Sequence, residues 1–255
     1  MSARGIRPIH VTVTSTAAAV SPETVGRCVR SVLAQTYPHR RHVYVLADAT
    51  DDLAGLDLSA HPAVELRKGV YPKAPELANL WPLWQSLPDE EVIAWVDGDD
   101  YLATPYVLEI VARAHAAGAL ATYGQFMWMD GSVGFAAPVG DEPRREPWRA
   151  THLKTFRAGL VKRIREQDLK TPDGKWTFVT DQPVMLPILE LAGPRARFIP
   201  NILYVYAVPN LQADLARHDP EYMRRQHAEI HRVRALPPYQ RLGAEECDQI
   251  AAASP

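Results

Sequence analysis

The chain has 255 residues, 47% of them hydrophobic, which is enough to bury the core of one α/β domain. Its 28 basic and 30 acidic residues give a formal net charge of −2, which excludes a global attraction to nucleic acid or anionic membranes. The two cysteines, Cys28 and Cys247, form no CxxC pair or disulfide framework, as expected in a reducing cytosol. Because no apolar run is long enough to cross a bilayer, we expect a soluble, cytoplasmic protein.

The first elements along the chain predict a βαβ unit. Residues 9–15 are typical of a buried strand rather than of a signal peptide, Pro22 begins a helix, and residues 42–47 favour a second strand. Such a unit places two parallel strands in one sheet, and ligands gather at their carboxyl ends. The residues expected at those ends are Ser15, Thr16 and Asp48.

A second alternation of strand and helix follows. A short strand near residues 64–66 precedes a helix whose apolar side chains recur at i, i+3, i+4 and i+7. An apolar strand at residues 92–96 then runs into a group of acids. The apolar helix positions are Leu77, Leu80, Trp81 and Trp84, and the acidic sequence is Asp97-Gly98-Asp99-Asp100.

Helix and strand signals continue through the second half of the chain. We expect a helix that opens at Thr104-Pro105 and stops at Gly118, then strand-like segments on both sides of an Asp130-Gly131 turn. Residues 141–148 are charged and contain proline, which favours an exposed loop within the domain. Residues 220–241 carry many Arg and His side chains on a predicted helix and loop.

The segment AWVDGDDYL is the sharpest chemical signal. Its spacing lets Asp97 and Asp99 face one site, and Mg²⁺ or Mn²⁺ binds one or two carboxylates together with phosphate oxygens and water. Gly98 between the acids lets the backbone come close to a ligand. A polar turn after a strand is the alternative, whereas an EF-hand is disfavoured because its ligand spacing is absent.

Several segments, taken in order, resemble family 2 glycosyltransferases. VYVLADATDD is similar to that family's strand and acidic loop, WVDGDDYL to its DxD segment, and THLKTFRAGLVKRI, DQPVMLPILELAG and RFIPNILYVY to a subgroup of small stand-alone transferases. The resemblance implies a GT-A fold, an α/β architecture with a mostly parallel central sheet flanked by helices. It also implies one domain over residues 1–255, with a nucleotide-binding half at about 8–102, an acceptor-binding half at about 103–215 and a helical extension at about 216–255.

The resemblance also implies roles for single residues in the first half of the chain. Asp48 would bind the nucleobase, Asp97 the ribose or backbone, and Asp99 the metal, with Asp97 beside it. Contacts to the nucleotide are further expected from Ser15, Thr16, Lys73, Asn79 and Gly98. For Lys73 and Asn79, a solvated lysine and a helix-capping asparagine are the alternatives.

In the second half, Asp181 matches the acid that serves inverting members as general base. Its alternative is a helix N-terminal residue that the dipole stabilises. His152 would meet the diphosphate or acceptor, or serve as a structural hydrogen-bonder. Trp148 and Trp176 are candidates for an acceptor cleft, whereas Trp81, Trp84 and Trp95 are expected in the core.

Three positions depart from the family pattern: Ala47 replaces the first of two paired aspartates, Thr180 replaces Glu before Asp181, and Ala207 follows Tyr206 where Asn is expected. The resemblance still implies an inverting enzyme that uses Mn²⁺ or Mg²⁺ to transfer one sugar from a UDP-sugar. The expected acceptor is a glycan or small molecule, with a nucleic acid as the minority alternative. A sugar nucleotidyltransferase and a non-catalytic nucleotide-sugar-binding module remain the competing functions.

Overall fold

A computed structural model describes residues 8–14, 22–47, 64–68, 76–207 and 219–252. Helices and strands alternate in the first half, as the sequence predicts. The strands are β1 (Ile9–Thr14), β2 (Arg40–Ala47), β3 (Val64–Lys68), β4 (Val92–Asp97), β5 (Tyr101–Leu102), β6 (Ala121–Trp128), β7 (Lys154–Arg157) and β8 (Ala196–Tyr206). The helices are α1 (Pro22–Leu33), α2 (Glu76–Ser86), α3 (Val107–Ala116), α4 (Ala158–Val161), α5 (Asp181–Ala192), α6 (Pro220–Ala235) and α7 (Ala244–Ala251).

Within the described part of the chain, the strands form one sheet of eight in the order β3-β2-β1-β4-β7-β6-β8-β5. The first four strands are mutually parallel, whereas β7 runs antiparallel to β4 and β6. The chain moves from β1 outward to β3 and then returns to the other side of β1 as β4. This reversal places a crevice at the carboxyl ends of β1 and β4, where Thr14 is directly opposite Asp97.

The central strand β4 is buried on both faces because helices cover both sides of the sheet. Val92, Ala94 and Val96 pack with α1 and α3. Ile93 and Trp95 point to the other face and pack with α2, α4 and α5. A strand with such an apolar sequence fits only a covered, mainly parallel sheet, so its polar end at Asp97 marks the point where the strand leaves the core.

The tryptophans expected in the core are buried there: Trp81 is 8% exposed, and Trp84 and Trp95 are 0% exposed. The rings of Trp84 and Trp95 meet edge to face with centroids 5.3 Å apart. These positions confirm the sequence-based assignment of the three side chains to packing.

Two sequence-based boundaries differ from the structure. Helix α3 begins at Val107, two residues after the predicted Thr104-Pro105 opening, although Gly118 ends the helical segment as expected with φ of 92°. Only the first of the two strands predicted around the Asp130-Gly131 turn forms. After the turn, the chain forms one isolated β-bridge, between Met127 and Val133. It does not continue as a strand, because Gly134 crosses closely over the Phe126 ring.

The C-terminal helices pack onto the same core as the rest of the chain. Helix α6 begins at Pro220, and the side chain of Asp219 caps it by accepting a hydrogen bond from the Tyr222 N–H at 2.8 Å. Cys247 and Ile250 of α7 join the cluster that contains α2, α4 and α5. No helix in the described residues is both long and apolar enough to cross a membrane.

Candidate active site

Three carboxylates lie together just beyond the end of β4. Oxygens of Asp97, Asp99 and Asp100 lie within 4.8 Å of one another. A tight turn brings them together, since the Asp100 N–H donates to the Asp97 carbonyl at 3.1 Å. The cluster occupies the crevice at which the strand order reverses, beside Thr14 at the end of β1.

Burial and mutual repulsion disfavour the ionised forms of these acids. Burial, followed by the nearby Glu76 carboxylate, raises the pKa of Asp97 well above its usual range. Burial and the Asp99 carboxylate raise the pKa of Asp100 to about 8, and burial also raises the pKa of Asp99. A divalent cation stabilises the ionised forms of such a cluster, and hard oxygen donors are those that Mg²⁺ and Mn²⁺ prefer. The donor set therefore fits the expected metal.

Asp100 also fastens the end of β8 to this turn. Its Oδ1 accepts a hydrogen bond from the Ala207 N–H at 2.8 Å, and its carboxylate accepts another from the Tyr204 hydroxyl. The Tyr204 hydroxyl in turn accepts from the Asp97 N–H at 2.9 Å. Because Ala207 uses its backbone, its departure from the family pattern leaves this tie intact.

The predicted base, Asp181, is the first residue of α5 and pairs with a lysine. The Lys154 Nζ donates to Asp181 Oδ1; the lysine side chain is 0% exposed and the aspartate 39% exposed. Burial acts to raise the pKa of Asp181, but the charge of Lys154 and the hydrogen bond that it donates outweigh burial, so the net pKa is lowered. Asp181 is therefore ionised at neutral pH, as a general base must be.

Strand pairing explains why Lys154 occupies this place. Lys154 begins β7 and lies opposite Trp95 of β4, with its ammonium nitrogen 4.7 Å from the centre of the Trp95 ring. The aromatic face and the Asp181 carboxylate together compensate a cation that has left water. The lysine thus reaches Asp181 from the strand next to β4.

His152 is 1% exposed and is bonded on both sides of its ring. Its Nε2 accepts from the Lys154 ammonium at 2.8 Å, so Nδ1 carries the proton and donates to the Tyr206 hydroxyl at 2.7 Å. Burial, followed by Lys154, lowers the pKa of His152 well below its usual value. The ring is therefore neutral, and it also stacks on Tyr204 with centroids 4.6 Å apart. These contacts agree with the alternative that His152 is a structural hydrogen-bonding residue.

Glu76, at the start of α2, links the ends of two strands beneath the site. Its Oε1 accepts hydrogen bonds from the Thr14 hydroxyl and from the Trp95 indole N–H, the latter at 2.9 Å. Burial raises the pKa of Glu76 against the effect of these two donors. Glu76 therefore fixes the relative positions of β1 and β4 at the crevice.

Other predicted site residues are placed as follows. Asn79 lies one turn into α2 and is partly buried. Trp148 and Trp176 pack at the margin of the core formed by α2, α4 and α5, and the Trp176 ring lies 6.2 Å from Trp81. Their role in an acceptor cleft stays a prediction. Ser15, Thr16, Asp48 and Lys73 lie outside the described residues.

Glu76, Lys154 and Tyr204 were not singled out from the sequence. Each belongs to a regular element, and neither spacing nor composition distinguishes such a residue from a surface or core position. Lys154 in particular begins a strand that reads Lys-Thr-Phe-Arg, in which nothing marks the lysine as buried.

Neither a protein-family model nor a curated protein matches the sequence. The structure is similar to that of S. aureus TarS 1-349 in complex with UDP, with a TM-score of 0.58 and 16% identity over 96% of this chain and 69% of that chain. For TarS 1-349 in complex with UDP-GlcNAc, the TM-score is 0.57 and the identity 15%, over 96% and 70% of the two chains.

A third similar structure is the mannosyltransferase PcManGT from Pyrobaculum calidifontis in complex with GDP-Man and Mn²⁺. Its TM-score is 0.52 and its identity 17%, over 88% of this chain and 68% of that chain. At these identities the likeness establishes the fold, which is the GT-A fold. The α/β architecture expected from the sequence is thereby confirmed.

Proposed function

We propose that this chain is a metal-dependent glycosyltransferase of family 2 that transfers one sugar from a nucleotide diphosphate sugar to a hydroxyl acceptor with inversion. The observation that carries the proposal is that the cluster of Asp97, Asp99 and Asp100 lies beside the Lys154–Asp181 pair in a GT-A fold. His152 Nε2 connects the two, because it lies 3.4 Å from Asp97 Oδ2 and 2.8 Å from Lys154 Nζ. The acid cluster suits a diphosphate with its cation, and the Asp181 carboxylate suits the removal of a proton from the acceptor. Transfer from a nucleotide sugar needs both.

The proposed cation, Mn²⁺ or Mg²⁺, would be held by Asp99 and Asp97. When bound, it would neutralise negative charge on the diphosphate of the donor. Asp100 would take a supporting part, because its Oδ1 is already bonded to the Ala207 N–H. The ion named with PcManGT is Mn²⁺, which supports this choice.

Asp181 would act as the general base toward the acceptor hydroxyl. The Lys154 ammonium occupies Oδ1, so the proton would pass to Oδ2 of the same carboxylate. Inversion follows from this role, because a single displacement needs a base for the acceptor and no enzyme nucleophile. His152 would hold Lys154 in place rather than contact substrate.

The donor pocket would be completed by Asn79 of α2 and by residues outside the described part of the chain. We propose that Asp48, Ser15 and Thr16 contact the nucleobase side, and that Lys73 and Asn79 contact the rest of the nucleotide. UDP is the proposed nucleotide, since the TarS structures contain UDP or UDP-GlcNAc. The GDP-Man of PcManGT makes GDP the comparison to test.

A thermal-shift panel of UDP, GDP, ADP and CDP, each with and without Mn²⁺, tests the donor site. A ligand at a hundred times its Kd stabilises the folded chain by about 2.7 kcal/mol, which raises the Tm by roughly 5–10 °C for a protein of this size. We expect UDP to give this shift only with Mn²⁺. Indifference to every nucleotide offered with Mn²⁺ would reject the proposed function.

Turnover then separates the proposal from its competitors. Donor hydrolysis or transfer from UDP-sugars supports a transferase. Formation of a nucleotide sugar from a sugar phosphate and a nucleoside triphosphate would instead identify a nucleotidyltransferase. Nucleotide binding without hydrolysis or transfer, over a panel of UDP- and GDP-sugars, would indicate a binding module.

A further inference from the structure

Residues 129–135 turn back over the end of β6 through a single β-bridge, and this segment, called the hairpin below, exposes apolar side chains. The side chains of Met129, Val133 and Phe135 are 52%, 59% and 59% exposed, and Tyr106 is the other large exposed hydrophobic residue in the described part of the chain. Three of these four residues, Met129, Val133 and Phe135, therefore lie within seven consecutive positions of the sequence. Exposed apolar side chains that cluster in this way are typical of a binding site.

The hairpin is an ordered structure and not a loose loop. Asp130 Oδ1 accepts hydrogen bonds from the N–H of Ser132 at 2.8 Å and from its hydroxyl at 2.6 Å. The Gly134 N–H donates to the Phe126 carbonyl at 2.9 Å, and a Cβ at Gly134 would lie 2.3 Å from the Phe126 ring. Glycine is thus required for the returning chain to cross this ring. The apolar side chains are held out to solvent on a fixed backbone, which lowers the entropy lost on binding.

Aromatic contacts connect the hairpin to the acid cluster. Phe126 meets the Phe135 ring at 5.4 Å and the Tyr206 ring at 4.6 Å, and Trp128 lies 5.2 Å from Tyr206. The Tyr206 hydroxyl accepts the hydrogen bond from His152. The other nitrogen of the same ring, His152 Nε2, lies 3.4 Å from Asp97 Oδ2, so one imidazole separates Tyr206 from the acid cluster.

The surface changes in character along its length. Its inner end consists of the partly buried rings of Tyr206 and Trp128, and aromatic rings of this kind suit the C–H face of a sugar ring. Its outer end carries the exposed apolar side chains of Phe135, Val133 and Met129, and the Asp130 carboxylate at the turn is already bonded to Ser132. A ligand that covers both ends of this surface would place a sugar at Tyr206 and Trp128 and an apolar group at Phe135.

We propose that Trp128, Tyr206 and the hairpin that bears Phe135 form the acceptor subsite, and that it selects a glycoside with an apolar aglycone. This inference rests on the proposed function and adds the chemical class of the acceptor. The acceptor hydroxyl is directed toward Asp181, the sugar ring covers Tyr206 and Trp128, and the aglycone covers Phe135. Trp148 and Trp176, which pack against the core, are not needed for this subsite.

Isothermal titration with p-nitrophenyl and methyl glycosides of glucose, galactose, mannose and N-acetylglucosamine tests the assignment. Each is titrated into the full chain with and without UDP and Mn²⁺. We expect the p-nitrophenyl glycoside of at least one sugar to bind about five- to tenfold more tightly than its methyl glycoside, the worth of one aromatic contact. The substitutions Trp128→Ala and Phe135→Ser should remove this preference.

Tyr106→Ser is the matched control, because Tyr106 is as exposed as Phe135 but precedes α3 and lies outside the hairpin. It should leave the preference unchanged. Phe135 is a surface residue, so Phe135→Ser reports on binding even if Trp128→Ala fails to fold. Equal affinity of aryl and methyl glycosides, or a preference that survives Phe135→Ser, would overturn the inference.

Two further outcomes separate this inference from the proposed function. If UDP does not bind with Mn²⁺ but the aryl preference depends on Phe135, the subsite is upheld as a glycoside site and the transferase proposal fails. If Phe135→Ser instead converts an oligomer to a monomer in sedimentation with unchanged glycoside affinity, the hairpin is a subunit interface and the inference fails.

Discussion

Lys154 and Asp181 form an ion pair whose two members differ sharply in their access to water. The lysine side chain is 0% exposed, whereas the aspartate side chain is 39% exposed. Residues 27 positions apart in sequence are joined because β7 and the start of α5 reach the same end of β4. The pair combines a buried cation with a carboxylate that still reaches water.

This asymmetry predicts unequal costs for breaking the pair. Asp181→Asn leaves a fully buried ammonium without its carboxylate, and we expect a loss of about 3–5 kcal/mol in the free energy of unfolding. Lys154→Met keeps a long apolar stem beside Trp95 and leaves a carboxylate that can reach water, so its cost should be smaller. Urea unfolding of both variants measures the two costs. A larger loss for Lys154→Met would contradict the asymmetry.

Lys154 should also set the acid limb of the pH profile of kcat. Its charge is the largest of the influences that lower the pKa of Asp181 against burial. In Lys154→Met the pKa of Asp181 rises, so the base is lost at a higher pH as the solution is acidified. Lys154→Arg, which keeps the charge, should retain a profile closer to that of the original chain. Identical acid limbs for the Met variant and the original chain would argue against Asp181 as the base.

Asp99→Asn and Asp181→Asn should separate binding from turnover. Asp99 belongs to the acid cluster, so Asp99→Asn should abolish the Mn²⁺-dependent part of UDP binding. Asp181→Asn, where the variant remains folded, should bind UDP with Mn²⁺ nearly as well but lose most of its turnover, roughly 100-fold or more. Thermal shift and initial rates on the same samples provide both measurements. Equal loss of binding in the two variants would reject this division of roles.

His115 should make stability depend on pH below neutrality. The ring is buried, with Nδ1–H directed to the Ala119 carbonyl at 3.0 Å and Nε2 accepting from the Thr155 hydroxyl at 2.8 Å. Burial, followed by the charge of Arg157, lowers its pKa from 6.5 to about 3. Between these values the unfolded chain binds a proton that the folded chain does not, so stability falls as the pH falls.

The expected contribution of this one ring is about 1.4 kcal/mol per pH unit as the pH falls from about 6 toward 4. His115→Gln removes the titrating group, so the difference in unfolding free energy between it and the original chain should change with pH. Urea unfolding at pH 7, 6 and 5 measures that difference. A constant difference would show that His115 carries no linked proton.

The order of elements and the acid cluster were readable from the sequence because both depend on local pattern. The strand Val92–Asp97 can be recognised from its run of apolar residues, and the helix Glu76–Ser86 from apolar residues at helical spacing. Asp97 and Asp99 were found because they directly follow such a strand. Asp181 was placed at a helix start by its resemblance to a family pattern, and the structure puts it there.

Which residues meet at the site was decided only by the tertiary structure. Glu76 reaches Thr14 and Trp95, and Lys154 reaches Asp181, only because the sheet order returns to β1 and then inserts β7 beside β4. Pairings across 19 to 62 residues depend on strand order and register, which leave no mark on the local sequence. A buried charge must be paired, but which residue pairs with it depends on how the strands assemble.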